Sequence, residues 1–311
     1  MRIAVFGAGA VGGYFGARLA RAGEDVVLIA RGAHLEAIRQ RGLSVESPLG
    51  DFHIYPVQAT DNPEEAGPAD VVLVGVKAWQ VPEVAPKMGP LLGPETFLVP
   101  LENGVEAPDQ LAAVWGRERV LGGLCRIIST VPEPGRIRHG GMEPYVAFGE
   151  LDNRPSERAE RLRAAFERAG VRAEVPANIQ VALWEKFLFI APFAALGAVT
   201  RAPVGVLRSV SPLRRMLEEA IAEAFAVGRA RGVPLPDDAP ARTMVLIDGM
   251  PPEGTTSMQR DIAAGKPSEL DYLAGAVVRL GEAVGVETPL HRFMYYALWP
   301  QERRARGELR F

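Results

Sequence analysis

The stretch Arg2-Ile3-Ala4-Val5-Phe6-Gly7-Ala8-Gly9-Ala10-Val11-Gly12-Gly13-Tyr14-Phe15-Gly16 decides how the rest of the chain is read. Arg2 to Phe6 has the continuous apolar character of a short buried strand. Gly7 to Gly12 then spells G-x-G-x-x-G, and Gly13 to Ala22 has the small and apolar residues of a helix packed on a sheet. Strand, Gly-rich turn and helix in that order form the dinucleotide-binding fingerprint. Each glycine has its own task. Gly7 permits the tight turn, Gly9 removes a side chain that would block a pyrophosphate, and Gly12 lets the helix approach the strand. The helix start offers unpaired N–H groups and a positive dipole end to phosphates. The expected phosphate contacts are therefore Gly7, Ala8, Gly9, Ala10, Val11 and Gly12.

Working outward, Asp25 to Ala30 reads as the second strand. An acidic residue that would hold a ribose 2′-hydroxyl normally ends this strand, but here the chain runs Ala30-Arg31. An arginine there can pair with a 2′-phosphate, so Arg31 points to NADP(H) rather than NAD(H). Leu43 to Val57, with Gly50 in its middle, reads as a hairpin. Asp70 to Val76 is a strongly apolar strand that ends at Lys77-Ala78-Trp79-Gln80, and Thr96 to Pro100 is another, leading into Asn103-Gly104. Ligands of open α/β sheets lie beyond the carboxyl ends of the strands, which places Lys77 and Asn103 beside cofactor and substrate. Val120 to Gly149 reads as further strands closing the sheet, Pro155 to Ala169 as an amphipathic helix, and Val171 to Val175 as a last strand.

Past Pro176 the strand pattern stops. Ile179 to Ala198, Ser211 to Arg231, Ser268 to Val284 and Pro289 to Gln301 all carry helical spacing. The expected architecture is an α/β Rossmann-type dinucleotide-binding domain over residues 1–176 and an all-α domain over 177–311. The active site is expected in the cleft between them.

Composition narrows the function classes. A chain of 311 residues with 48% hydrophobic content suits two domains of ordinary size. A formal net charge of -3 argues against a nucleic-acid or polybasic membrane partner. The lone Cys125 excludes an internal disulfide and fits a cytoplasmic setting, and no targeting segment is expected. His34, His53, His139 and His291 show no metal-ligand spacing, so no metal is expected. Lysine occurs only at positions 77, 87, 186 and 266 among many arginines. A lysine amine, unlike a guanidinium, can release its proton.

These motifs together resemble ketopantoate reductase (2-dehydropantoate 2-reductase). The resemblance rests on the N-terminal fingerprint, Lys77-Ala78-Trp79-Gln80, Asn103-Gly104, Leu183-Trp184-Glu185-Lys186, Thr256-Ser257-Met258-Gln259-Arg260-Asp261 and Glu269-Leu270-Asp271-Tyr272. It implies NADPH reduction of a 2-keto acid to a 2-hydroxy acid in pantothenate and coenzyme A synthesis. It implies Lys186 as general acid, with Glu269 binding the substrate hydroxyl and helping to hold the lysine. Ser257 would contact substrate, Lys77 and Asn103 would sit at the cofactor–substrate junction, and Arg31 would contact the 2′-phosphate. Glu269 is accordingly counted with both the substrate and the cofactor residues.

Structural alternatives stand beside these roles. Trp184-Glu185-Lys186 could be an ordinary surface turn of a helix, Ser257 a helix cap and Glu269 a favourable helix-start charge. The chain also departs from the family pattern. Where the family carries asparagines four, eight and eighteen residues after the lysine, it has Ile190, Ala194 and Val204. A more apolar wall implies, as a second reading, reduction of a more apolar 2-keto acid. A third reading is an NADP(H)-binding sensor without turnover. Pairing of subunits through the long C-terminal helices is a further expectation.

Overall fold

The computed structural model describes residues 1–310. By its internal contacts the chain divides into two units. One comprises Met1–Glu102 and Ala107–Ile179, the other Asn103–Glu106 and the residues from Gln180 onward. The short loop Asn103–Glu106 thus groups with the helical residues, which no sequence pattern announced.

The first unit is built on strands β1 (Arg2–Phe6), β2 (Asp25–Ile29), β3 (Leu43–Glu46), β4 (Phe52–Ile54), β5 (Gln58–Thr60), β6 (Ala69–Val74), β7 (Leu92–Pro100), β8 (Leu121–Arg126), β9 (Ser129–Glu133), β10 (Arg136–His139), β11 (Tyr145–Glu150) and β12 (Arg172–Glu174). Its helices are α1 (Ala10–Arg21), α2 (Gly32–Arg41), the single turns α3 (Pro63–Ala66) and α4 (Val81–Val84), α5 (Ala107–Trp115) and α6 (Glu157–Arg168). Five strands form an all-parallel sheet in the order β5-β2-β1-β6-β7. Alternate residues of β1, β2, β6 and β7 enter different cores. Ile3, Val5, Leu28, Leu73 and Val99 join Tyr14, Phe15 and Phe166 on one face. Ala4, Phe6, Val27, Val72 and Leu98 join Val81, Met88 and Leu111 on the other. Burial on both faces is why these strands read as unbroken apolar runs.

Val120 to Gly149 does supply strands, but they do not extend this sheet. β8, β11 and β12 form a separate three-stranded sheet, while β9 and β10 join the β3–β4 hairpin in a four-stranded one. A single bridge, Leu98 to Val120, reaches from the parallel sheet to the segment before β8. The antiparallel pairing of β8 with β11 decides this, because it aligns the two strands over six residues.

The second unit is helical: α7 (Ile179–Thr200), α8 (Val204–Ser209), α9 (Ser211–Ala230), α10 (Ala239–Asp248), α11 (Ser257–Ala263), α12 (Ala274–Val284) and α13 (Pro289–Ala305). Its core gathers Trp184, Phe187, Leu188 and Phe193 of α7 with Leu217 and Ile221 of α9, Val277 of α12 and Met294 of α13. α7 is long and apolar enough to cross a bilayer, yet 67% of its most apolar stretch is buried within the protein, as befits a core helix. The expected helix from Ser268 starts late. Ser268 and Glu269 are irregular, a 3-10 turn covers Leu270–Tyr272, and α12 begins at Ala274.

Candidate active site

In the first unit the three fingerprint glycines separate by what surrounds them. Gly7 has φ +97°, a conformation that favours glycine, and a Cβ there would lie 2.7 Å from Val76 Cγ1. A Cβ on Gly12 would lie 2.3 Å from the Gly7 carbonyl oxygen and 3.0 Å from Val5 Cγ1. Both glycines are therefore explained by packing of the turn, the helix and the strand. Gly9 is different: a Cβ there would meet nothing within 4 Å. The protein leaves that space open at the N-cap of α1.

The amides of Gly7 and Ala8 both donate to the Ile29 carbonyl at the end of β2, at 3.1 and 2.9 Å. These bonds shape the loop. The first bond of the helix is Gly13 N–H to Gly9 O, 2.8 Å, so the amides of Ala10, Val11 and Gly12 come before any intrahelical acceptor. They form the donor set that a pyrophosphate would use, and the residues present fit a dinucleotide.

His34 of α2 braces the same loop. Gly135 N–H donates to its Nδ1 at 3.1 Å, so Nε2 carries the proton and donates to the Ala8 carbonyl at 3.0 Å. Burial holds its pKa below the usual histidine value, although the bond to Ala8 opposes this. Sequence reading gave no sign of this role, because a lone histidine in a polar helix carries no pattern. Arg31 is the exposed N-cap of α2, and its side chain makes no hydrogen bond or ion pair among the described residues. Lys77 follows β6 and is half-buried, with Nζ 5.6 Å from the centre of the Trp79 ring. Its backbone is tied to the next turn, where Lys77 N–H donates to Gln80 Oε1 at 3.1 Å.

In the second unit, Asn103 and Glu269 meet across 166 positions of sequence. Asn103 Nδ2 donates to Glu269 Oε2 at 2.8 Å. Glu269 is 4% exposed, and Oε1 accepts no hydrogen bond from the described residues. Glu269 does stand at a helix start, as the N-cap residue of the 3-10 turn Leu270–Tyr272, but its carboxylate makes no capping bond and bonds Asn103 instead. Gly104 makes the meeting possible. It has φ +99°, and a Cβ there would lie 2.9 Å from the Tyr272 carbonyl oxygen. Asn103-Gly104 is thus both a turn and a contact.

Lys186 is half-buried on α7. Its neighbours exclude a plain surface turn: Trp184 is a core residue edge-on to Phe187 at 5.4 Å, and Glu185 pairs with Arg242 at 2.6 Å. Two of the other lysines are ordinary. Lys87 is an exposed partner of Glu83 one helical turn away, and Lys266 is exposed. Ser257 does not cap its helix. Thr256 does, its hydroxyl accepting from Gln259 N–H at 3.1 Å, and this leaves the half-buried Ser257 hydroxyl without that task. Of the three departures, Ala194 and Val204 are fully buried in the helical core, and only Ile190 is partly accessible.

The comparisons with known proteins follow this division. Residues 3–153 match the family model "Ketopantoate reductase PanE/ApbA" and residues 178–302 its C-terminal counterpart. The chain belongs to the ketopantoate reductase family. It is 34% identical over 310 residues to the 2-dehydropantoate 2-reductase of Mesorhizobium japonicum, covering 93% of this chain and 94% of that one. It is 31% identical over 297 residues to an uncharacterized oxidoreductase of Bacillus subtilis, YkpB, covering 95% and 97%. The crystal structure of a PanE/ApbA family ketopantoate reductase from Ralstonia eutropha superposes with a TM-score of 0.90 at 34% identity, covering 98% of this chain and all of that one. The chain is therefore a dinucleotide-binding oxidoreductase of the ketopantoate reductase type.

Proposed function

We propose that this ketopantoate reductase family member is a cytoplasmic, NADPH-dependent reductase that converts 2-dehydropantoate to pantoate for pantothenate and coenzyme A synthesis, with Lys186 as its general acid. The observation that carries the proposal is the Asn103–Glu269 pair, closed to 2.8 Å in the unit that also holds Lys186. When bound, the reduced nicotinamide coenzyme supplies a hydride to the keto carbon. The amides of Ala10, Val11 and Gly12 bind its pyrophosphate, with Gly7 and Ala8 shaping the loop and Gly9 giving it room. Arg31 binds the 2′-phosphate, and Lys77 and Asn103 lie toward the reacting end.

Lys186 stabilises the developing alkoxide and delivers a proton to its oxygen. Glu269 keeps Oε2 on the Asn103 amide and offers Oε1 to the substrate hydroxyl. Ser257, relieved of capping by Thr256, contributes a hydroxyl to the substrate. The test is turnover of 2-dehydropantoate with NADPH by the purified protein, beside Lys186→Ala. The variant should lose roughly 10²–10⁴ in kcat while keeping its affinity for NADPH. Unchanged turnover would remove Lys186 from the mechanism.

Ile190 favours a second reading. It sits one helical turn from Lys186, partly accessible, where the family resemblance leads one to expect an amide. An isoleucine cannot replace a hydrogen bond to substrate, but it favours a more apolar 2-keto acid that lacks the substrate hydroxyl. A panel of 2-keto acids ranked by kcat/KM separates the two readings.

A further inference from the structure

We propose that Glu302 is a positioning residue for Glu269, acting through Ser268; this rests on the reading of Glu269 as the carboxylate that binds substrate. Glu302 lies on α13 and is 1% exposed, and Ser268 is fully buried. Ser268 N–H donates to both Glu302 oxygens, at 3.1 and 3.0 Å, and Ser268 Oγ–H donates to Oε2 at 2.6 Å. Arg306 completes the cluster, donating from Nε to Glu302 Oε1 at 2.7 Å and from Nη2 to the Ser268 carbonyl at 3.1 Å. Every polar group of Ser268 is therefore committed. Its Oγ also accepts from Leu270 N–H at 3.2 Å, so the residues on both sides of Glu269 are held.

The clamp has a geometric purpose. Glu269 is the N-cap residue of a single 3-10 turn, its carbonyl accepting from Tyr272 and Leu273 N–H at 3.0 and 2.9 Å. Ser268 before it lies in irregular chain that no helix or strand fixes. A buried carboxylate–guanidinium pair is an inefficient stabiliser, because well-packed apolar side chains of the same volume serve stability as well or better. What such a pair does supply is short, directional bonds that allow one arrangement. The same segment is secured further on, where Tyr295 O–H donates to Asp271 Oδ1 at 2.8 Å. Arg279 donates to the Asp271 carbonyl at 2.8 Å and to Glu106 at 2.8 Å, tying the Glu269 segment to the Asn103 loop. Glu302 is the one carboxylate in this set that grips the residue next to Glu269.

The test combines structure and kinetics on the full chain. Crystal structures of Glu302→Gln and of Ser268→Ala should show the Asn103–Glu269 bond lengthened beyond hydrogen-bonding distance. An intact bond in both overturns the proposal, whatever the substrate proves to be. With the best 2-keto acid of the panel, Glu302→Gln should lower kcat/KM roughly 10–100-fold, as loss of a supporting outer partner commonly does. The loss should lie mainly in KM for the keto acid, with NADPH affinity unchanged. In the double variant with Glu269→Gln the two losses should not multiply, because Glu302 acts only through Glu269. Independent, multiplying losses would show a merely structural role and defeat the proposal. Should Glu302→Gln fail to fold, Ser268→Ala carries the same cycle, since it removes the Oγ bonds and leaves the ion pair. A wild type that reduces no 2-keto acid refutes the functional reading instead, and the crystallographic comparison then decides the positioning claim by itself.

Discussion

Gly9 and Gly12 stand three residues apart in one motif, and the structure predicts opposite consequences for changing each to alanine. At Gly12 the new methyl would lie 2.3 Å from the Gly7 carbonyl oxygen, and neither backbone can move without disturbing β1 or α1. Overpacking of this kind costs about 3 kcal/mol at the severe end, and the better helix propensity of alanine returns about 1 kcal/mol. The net loss of about 2 kcal/mol should lower Tm by roughly 4–8 °C for a unit of this size. At Gly9 the methyl enters open space, and φ -76°, ψ -152° is extended backbone on the negative-φ side. The entropy removed from the unfolded chain and the loss of a glycine N-cap, each below about 1 kcal/mol, oppose one another. Tm of the ligand-free protein should therefore stay within about 2 °C of wild type. The same methyl would occupy the space proposed for the pyrophosphate, so the Kd for NADPH should rise at least about tenfold, or 1.4 kcal/mol. Differential scanning calorimetry of the ligand-free variants and titration calorimetry with NADPH measure the two quantities separately. A Gly9→Ala protein that binds NADPH as tightly as wild type would refute the assignment of this space to the coenzyme.

Other perturbations probe the remaining parts of the site. Arg31→Ala should weaken NADPH by about 1–3 kcal/mol, the worth of a charge-assisted bond, and leave NADH nearly unchanged; equal loss for both coenzymes would count against the 2′-phosphate role. Ile190→Asn should shift kcat/KM toward 2-dehydropantoate and away from more apolar 2-keto acids that lack its hydroxyl, and an unchanged ranking would show that this position does not set preference. His34 predicts a pH effect. Its folded pKa is lowered, so between that value and the usual 6.5 the unfolded chain binds the proton more readily. Stability is unaffected by this group above about 6.5 and falls as pH drops below it, because a protonated Nδ1 can no longer accept from Gly135. Chemical denaturation should show His34→Asn with a shallower loss of stability between pH 7 and 5, and parallel curves for the two proteins would refute this.

The dinucleotide half of this protein was legible because its signal is local. A buried strand, a turn that needs φ > 0 at Gly7 and a helix start follow one another within sixteen residues, so the order of residues dictates the order of conformations. The C-terminal helices were legible for the same reason, although the short α8, α10 and α11 offer too few turns to show a period. Arrangement between distant residues was not legible. That Asn103 bonds Glu269, that Glu302 grips Ser268, that His34 ties Ala8 to Gly135, and that Ala194 and Val204 sink into the core are outcomes of packing. Ser257 could be read as a helix cap, a task that packing gives to Thr256 instead. Sequence specified which backbone shapes and chemical groups were available, because these depend on neighbours along the chain. Tertiary structure alone chose which groups would meet, because residues 166 positions apart are brought within 2.8 Å only by the packing of the elements that carry them.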